Sequence, residues 1–371
     1  MPERILITGG AGFIGSHLAR RLLRDGNVVR ALDSLVEQVH GGCRRPAYLE
    51  DDVELVVGDV RDREAVDQAL REIDVVVHLA ARVGVGQSMY EVADYASANT
   101  HGTGVLLQAM MKRPPRKLVV ASSMSIYGEG LYRDVGGRVR PGTERSREQL
   151  EGARWELQDE DGRTLEPIPT AEWKPPALAS QYALGKFDQE RMCLLFGSAY
   201  SVPTVALRLF NVYGPDQALS NPYTGVLAIF AARLLNGRPP LIFEDGEQRR
   251  DFVSVADVAH GCALAIAHDG ADGQALNIGS GSRTTVAEIA RRLAAILDGR
   301  GCEPVITGKY RFGDVRHCFA DVGAAQRLLG YAPAVELEAG MLELARWLEG
   351  RVSEDRVEAA AAELAAHGLT I

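Results

Sequence analysis

The sequence predicts an α/β protein: a doubly wound parallel sheet covered by helices on both faces, with a smaller mixed α/β unit after it. Three observations carry that expectation. Short β-branched or apolar runs alternate with helical patterns through the first half of the chain. A glycine-rich turn joins the first run to the first helix. The alternation then breaks twice, at residues 130–178 and again after Asn211.

The elements follow in order. Arg4–Thr8 reads as the first strand, and after the glycine turn an amphipathic helix runs from His17 to Arg24. Further strands are expected at Val28–Leu32, Val53–Val57, Val75–Leu79, Leu118–Ala121 and Thr204–Leu207. Right-handed crossovers between parallel strands place their C-terminal ends, and any ligand, along one edge. Residues 1–210 are therefore expected to form one unit, with 251–283 returning to it. Residues 211–250 and 284–350 would make the second. The segment 130–178 is dense in charge and carries Trp155, Trp173 and several prolines. It is too long for a simple connection, and reads either as an inserted subdomain or lid or as a solvated surface excursion. The alanine- and glutamate-rich tail 352–371 has helical spacing, and reads as a surface helix or an oligomer contact.

Composition excludes several classes. The chain has 371 residues, 46% of them hydrophobic and 25% charged, which allows one large or two modest domains. A net charge of −9 speaks against nonspecific nucleic-acid binding, while leaving room for a local basic pocket. The cysteines, at 43, 193, 262, 302 and 318, are scattered and odd in number, with neither a metal-type pair nor a disulfide framework. The N-terminus enters a strand at once, and no apolar run approaches the ~18 residues of a membrane span. The expectation is a soluble cytoplasmic protein without a signal peptide, a membrane partner or a bound metal.

The turn T-G-G-A-G-F-I-G spans Thr8 to Gly15. Gly9 and Gly12 permit a tight turn and close approach to a pyrophosphate, Gly15 lets the helix pack near the strand, the helix N-terminus faces the anion, and Phe13 and Ile14 are further cofactor-binding candidates. Asp33 stands 18 residues past Gly15, at the end of the second strand. A carboxylate there accepts from a ribose diol and repels a 2′-phosphate, so NAD is expected rather than NADP. Asp59 and Val60 end the third strand, with Asp59 a candidate for the adenine amino group. Leu79, Ala80 and Ala81 end the fourth, where small residues admit the middle of the cofactor; His78 reads as a packed core histidine.

Tyr182-Ala-Leu-Gly-Lys186 places a phenol and an ammonium on one helical face. A free phenol titrates at about 10, and a nearby cation favours the phenolate, so Tyr182 is a candidate general base. Gly84-Val-Gly-Gln-Ser88 reads as a loop lining a sugar pocket, with Gln87 and Ser88 as candidate hydroxyl partners. Arg249–Arg250, and Arg311 with Arg316, supply cation density suited to a diphosphate. Asn221-Pro222-Tyr223-Thr224 reads as a nucleotide-enclosing turn or simply a turn.

These motifs resemble the extended short-chain dehydrogenase/reductase family of nucleotide-sugar epimerases and dehydratases. They include G-D-V-R-D at 58–62, H-L-A-A at 78–81, Asn99, S-S-M-S-I-Y-G at 122–128, R-L-F-N-V-Y-G-P at 208–215, R-R-D-F-V-S-V-A-D-V at 249–258 and N-I-G-S-G at 277–281. The resemblance implies a Rossmann-type sheet, bound NAD, and Ser123, Tyr182 and Lys186 as the catalytic trio. It further implies Asn99 near the cofactor, Asn211, Arg250 and Arg311 on the sugar nucleotide, and a homodimer.

Within that family, Met124 and Ser125 decide the reaction. Sugar 4,6-dehydratases resemble this strand end but carry an Asp-Glu pair after the catalytic Thr or Ser, and decarboxylating relatives hold a glutamate at the place of Ser125. Neither acid is present here. What survives is 4-epimerisation: transient oxidation at C4 by bound NAD and re-reduction on the opposite face. Ser123 would bond the C4 oxygen, Ser125 would support it or touch the sugar, and Met124 would fill space. Loop sequences such as V-G-V-G-Q-S-M-Y-E and G-D-V-R-H-C-F-A-D further resemble bacterial enzymes that convert dTDP-L-rhamnose to dTDP-6-deoxy-L-talose. Those relatives often carry two C-x-x-C-G knuckles in the insertion. This chain holds R-D-V-G-G at 133–137 and Q-D-E-D-G at 158–162 instead, which excludes a thiolate zinc site. The alternatives are an oxidoreductase or dehydratase on the same dTDP- or UDP-linked sugars, a UDP-hexose or UDP-hexuronate 4-epimerase, and a non-enzymatic redox sensor on the same fold.

Overall fold

The computed structural model describes residues 2–42, 44–219, 221, 225–297, 302–311, 313–349, 355 and 357–369. Its centre is a seven-stranded sheet. The strands are β1 (Arg4–Thr8), β2 (Val28–Asp33), β3 (Glu54–Val57), β4 (Val75–His78), β5 (Lys117–Ser123), β6 (Thr204–Leu209) and β7 (Ala275–Ile278). Every pair is parallel, in the order β3-β2-β1-β4-β5-β6-β7. The strand order reverses between β1 and β4, and the crevice at their C-terminal ends is where a doubly wound sheet binds its ligand.

The strands read as continuous apolar runs because both faces are buried. Ile5, Ile7, Val75, Val77, Val119, Val205 and Leu207 point into one core layer, while Leu6, Val76, Leu118, Val120 and Ala206 point into the other. The first layer is closed by helices Phe13–Arg24 and Val255–Ala267, which pack on each other. The second is closed by Arg63–Ala69, Gly102–Met110 and Gln181–Tyr200. Several strand ends shift by one or two residues from expectation, and two boundaries bear on the crevice. The first helix starts at Phe13, directly after the glycine turn, and β5 runs on through Ser123, because Ser122 and Ser123 stay in ladder with Arg208 and Leu209 of β6.

A third apolar cluster lies beyond the sheet. Phe230, Ile242, Phe252, Ile289, Leu293, Met341 and Leu344 pack together from helices Val226–Leu235, Val286–Ile296 and Leu337–Leu348 and the short strands among them.

The segment 130–178 is not a surface excursion. Strands Val139–Pro141, Leu131–Arg133 and Glu166–Ile168 form a three-stranded antiparallel sheet over the small cluster Tyr132, Leu157 and Leu165. Main-chain bonds dock it on the body: Gly130 N–H donates to His317 O and Thr170 N–H to Phe319 O, both at 2.8 Å. Arg316, 1% exposed, then ties three pieces of chain together, pairing with Glu156 of the insertion at 2.6 Å, Glu244 at 3.0 Å and Asp245 at 2.6 Å. The two glycine turns at 133–137 and 158–162 are closed by aspartates. Asp134 Oδ1 accepts from the amides of Gly136 and Arg138, and Asp159 Oδ1 from those of Asp161 and Arg163. Arg140 reaches across from Asp134 (3.7 Å) to Glu160 (3.0 Å).

The C-terminal helix, Val357–Ala366, buries Ala360 and Leu364 against the same chain. Among the described residues no helix is long and apolar enough to cross a membrane.

Removing Arg316 would leave the buried Glu244 to Arg145 alone and take the guanidinium from Asp245 and Glu156. An Arg316→Ala variant is expected to lose about 3–5 kcal/mol, the usual cost of breaking a buried pair from one side. Urea unfolding followed by circular dichroism measures it; a midpoint equal to the parent's would refute the role given to this network.

Candidate active site

The site is built at the C-terminal ends of β1, β2, β4 and β5. Gly9 has φ +70°, and a Cβ placed on it would stand 2.9 Å from Ala80 N, so the β1 turn and the end of β4 approach as only glycine allows. A side chain at Gly15 would collide with Gly9 O. Gly12 caps the helix with no side chain to bond its first-turn amides, so the N–H groups of Phe13 and Ile14 are left to an anion. Asp33 closes the other side: its carboxylate accepts from Ala11 N and Leu35 N, both at 3.0 Å, with His40 Nε2 at 3.4 Å. Asp59 is held by Arg61, whose hydrogen bonds keep its carboxyl below the ordinary range. Val60 is buried just past β3, and Leu79, Ala80 and Ala81 are half-buried directly after β4. A glycine cradle with an uncapped helix N-terminus and a carboxylate at the end of β2 fits a dinucleotide.

Across the crevice, Ser123 closes β5 and caps the short turn Met124–Tyr127. Its Oγ accepts from Ser125 Oγ at 2.9 Å and Ser125 N at 3.2 Å, while Met124 packs against the core. Helix Gln181–Tyr200 begins at the Ser180 cap and carries Tyr182 in its first turn. Burial raises the Tyr182 phenol, and a hydrogen bond with Ser123 pulls it back. Lys186, one turn on, is 3% exposed, and burial pushes its ammonium down to about 8 against the opposing influence of Cys193 and Glu190. Its Nζ donates to Gln189 Oε1 at 2.8 Å. Ser123 and Tyr182 thus meet across the gap between β5 and one helix, with Lys186 one turn further along that helix.

Several residues of this neighbourhood escaped the sequence reading. Glu190 is paired in bidentate fashion with Arg208 of β6 at 2.7 and 3.0 Å, and accepts from Ser122 Oγ at 2.6 Å. A signal existed, since Tyr182, Lys186 and Glu190 repeat every fourth residue along one helical face. Gln189 is the second: its amide donates to Ala80 O (3.1 Å) and contacts Thr103 Oγ1 and His78 Nε2, both 3.0 Å away. His78 is the core histidine expected, buried between Thr8 and Thr103, with burial lowering it to about 3.

The residues assigned to the sugar nucleotide are placed unevenly. Ser88 is fully buried, and its hydroxyl is spent on Val85 O (2.7 Å) and on the Tyr182 N–H (3.0 Å); it holds the catalytic helix. Gln87 contacts Tyr95, Gln38 and Glu91. Asn99 clamps the main chain of Arg82 from both sides, at 2.7 and 3.1 Å. Asn211 Oδ1 and Arg311 Nε are buried polar atoms with no partner among the described residues, as expected of groups that meet a ligand. Arg311 lies over the Phe243 ring at 4.6 Å and 3.2 Å from Asp314. Arg250 donates to the carbonyls of Arg249, Val315 and Arg316. The expectation that Arg316 adds cation density is corrected, because three carboxylates consume its charge. Asn221 accepts from Gln38 at 3.2 Å; Pro222, Tyr223 and Thr224 lie outside the described residues. No cluster of three or more His, Cys, Asp or Glu among the described residues is arranged to hold a metal ion.

A dinucleotide cradle facing a Ser-Tyr-Lys constellation defines an NAD-dependent enzyme of the short-chain dehydrogenase/reductase type. The chain belongs to the NAD dependent epimerase/dehydratase family, which matches residues 5–153 and 159–279. It is 37% identical over 350 residues to the dTDP-L-rhamnose 4-epimerase of Burkholderia thailandensis, covering 93% of this chain and 95% of that one. Among solved structures it is similar to the UDP-glucose 4-epimerase of Thermotoga maritima with UDP-glucose, at a TM-score of 0.76 and 31% identity over 93% of this chain and 98% of that one. The Thermus thermophilus UDP-glucose 4-epimerase in complex with NAD follows, at 0.73 and 30%, covering 94% and 100%. The cofactor is NAD.

Lys186 sets a pH expectation. A lysine lowered to about 8 keeps its charge below that pH and loses it above. If the ammonium is needed to favour the phenolate, kcat should fall on the alkaline side with an apparent pKa near 8. A rate profile that stays flat to pH 10 would overturn this.

Proposed function

We propose that the chain is a nucleotide-sugar 4-epimerase acting on dTDP-L-rhamnose and forming dTDP-6-deoxy-L-talose. The observation that carries the reaction is the fate of the carboxylates around the end of β5. Glu129 accepts from the amides of Arg316 and His317 and from Tyr132, Glu172 accepts from Asn277 N, and Glu190 is locked on Arg208. With Met124 and Ser125 following Ser123, these three carboxylates are committed elsewhere, which supports a reaction without an acid to expel a C6 hydroxyl or a base to remove a C5 proton. The 37% identity with the Burkholderia enzyme supports the substrate; the similarity to UDP-glucose 4-epimerases keeps UDP-hexoses and UDP-hexuronates as the second choice.

When bound, NAD supplies a reversible hydride acceptor at C4. The cradle of Gly9, Gly12 and Gly15, the amides of Phe13 and Ile14, and Asp33 would hold it, with Asp59, Val60, Leu79, Ala80, Ala81 and Asn99 around it. Tyr182 takes the proton of the C4 hydroxyl and later returns it. Lys186 favours the phenolate by its charge, and Ser123, steadied by Ser125, bonds the same oxygen. Asn211, Arg250 and Arg311 take the diphosphate end, on the smaller unit formed by residues 211–250 and 284–350. Gln87 borders the sugar. A cytoplasmic location and a homodimer belong to the same proposal; Leu184 and Leu195, 42% and 60% exposed, share one face of the catalytic helix and suit a second copy.

Proton NMR of the purified protein with dTDP-L-rhamnose, without added cofactor, tests the reading. A second 6-deoxyhexose with inverted H4 coupling is the expected result. An unchanged spectrum removes this substrate and brings UDP-hexoses and hexuronates next; a 4-keto product removes the epimerase. A Tyr182→Phe variant should keep its NAD and lose about 100-fold or more in rate, the scale of general acid–base catalysis.

A further inference from the structure

The C-terminal helix lies on the turn that holds the catalytic tyrosine. A Cβ built on Gly86 would come within 3.1 Å of Leu364 Cδ2, so the leucine occupies the space this glycine leaves open. Just beyond the helix, the His367 ring stacks on Tyr90 with centroids 4.7 Å apart and planes 7° from parallel. At its other end Asp355 accepts from Arg238 at 3.1 Å and Arg233 at 3.4 Å, and caps Val357 N at 3.1 Å. Asp355 and Arg233 are each only 4% exposed along their side chains, so this end is anchored in the interior. Glu190, Arg208 and Lys186 reach none of these groups; the helix acts on a different part of the site.

What it touches matters for the chemistry. The turn Val85–Ser88 follows Gly84, whose φ is +129°. Ser88 closes it by donating to Val85 O, and its oxygen accepts the main-chain N–H of Tyr182. A first-turn amide has no acceptor within its own helix, so Ser88 supplies what the geometry of Tyr182 otherwise lacks. Any shift of the turn at Gly86 is passed two residues along to this bond.

We propose that Leu364 is a positioning residue of the active site: seated on Gly86, it fixes the turn whose Ser88 hydroxyl holds Tyr182, so the C-terminal helix sets where the phenol stands. The proposal rests on the reading of Tyr182 as the proton-transfer group. It assigns the tail a task within its own chain, where the sequence pattern leaves a surface helix or an oligomer contact.

The test compares Leu364→Ala, Leu364→Met and Gly86→Ala with the parent enzyme. Amide exchange is read by NMR on protein labelled with 15N-tyrosine, the Tyr182 signal being assigned by its loss in Tyr182→Phe. Leu364→Ala should speed exchange at Tyr182 about tenfold while the buried Tyr127 amide is unchanged, and should lower kcat about tenfold with KM held within about twofold, since misplacement of a reacting group costs rate. Leu364→Met should return both values to within about twofold of the parent. Gly86→Ala, which pushes the leucine away from the opposite side, should reproduce Leu364→Ala, and it serves alone if that variant fails to fold. Unchanged exchange at Tyr182 in a folded Leu364→Ala protein overturns the proposal. So does a raised KM at constant kcat, which would make the helix a wall of the substrate pocket. Should the parent show no epimerisation, the functional reading falls, and the exchange data still decide whether Leu364 positions Tyr182.

Discussion

The site depends on one buried ion pair, Glu190 with Arg208. A helix carrying Tyr182, Lys186 and Glu190 on one face must lay that polar face on a sheet whose other contacts are apolar. The pair makes this possible: Glu190 is 1% and Arg208 6% exposed, and between them every charged atom finds a partner. Such a pair returns little net stability once desolvation is counted, but its bidentate geometry admits one register of helix on strand. The consequence is visible at the end of β5. Neighbouring serines point to opposite faces of the strand, so Ser122 is drawn into the pair while Ser123 is left for Tyr182.

The second constraint is that Lys186 must stay charged in a place that disfavours charge. Its resting partner is the neutral amide of Gln189, itself braced by Ala80 O, Thr103 and a histidine kept neutral by burial. A carboxylate in the place of Gln189 would stabilise the ammonium more strongly, and would also cancel its field at the phenol. Glu190 is nearby, yet its oxygens are committed to Arg208 and Ser122. The arrangement therefore leaves Lys186, one helical turn from Tyr182, bonded to a neutral amide, while Glu190 and Cys193 act on its charge only through space.

Most of the sheet was legible because parallel strands buried on both faces announce themselves as apolar runs between helical patterns. The glycine turn, Asp33, Ser123 and the Tyr182–Lys186 pair were legible too, since each is a local pattern with a physical purpose. Residues whose role depends on distant partners were not. Ser88 reads as a sugar-facing hydroxyl in the loop sequence, and only the fold brings the Tyr182 amide, 94 residues away, onto its oxygen. Arg316 reads as a spare cation beside Arg311, and only the fold surrounds it with Glu156, Glu244 and Asp245. In both cases sequence shows the chemical capacity of a side chain and leaves open whether that capacity is already spent.

The same distinction explains the insertion. Its charges left a subdomain or lid and a solvated excursion both open, and in the fold several of them bond the body of the protein. Glu156 fixes Arg316, and the backbone carbonyls of Val315 and Arg316 are among the acceptors for the Arg250 guanidinium. Glu129, at the insertion's root, takes the amides of Arg316 and His317. Within the insertion itself Asp134 and Asp159 close the glycine turns through backbone amides, and Arg140 reaches from Asp134 to Glu160, so the lobe is cross-linked by charge. The lobe meets the body at the main chain of residues 315–317, whose amides bond Glu129 and whose carbonyls accept from Arg250, and these bonds are a physical reason for a charged insertion to be folded against the body.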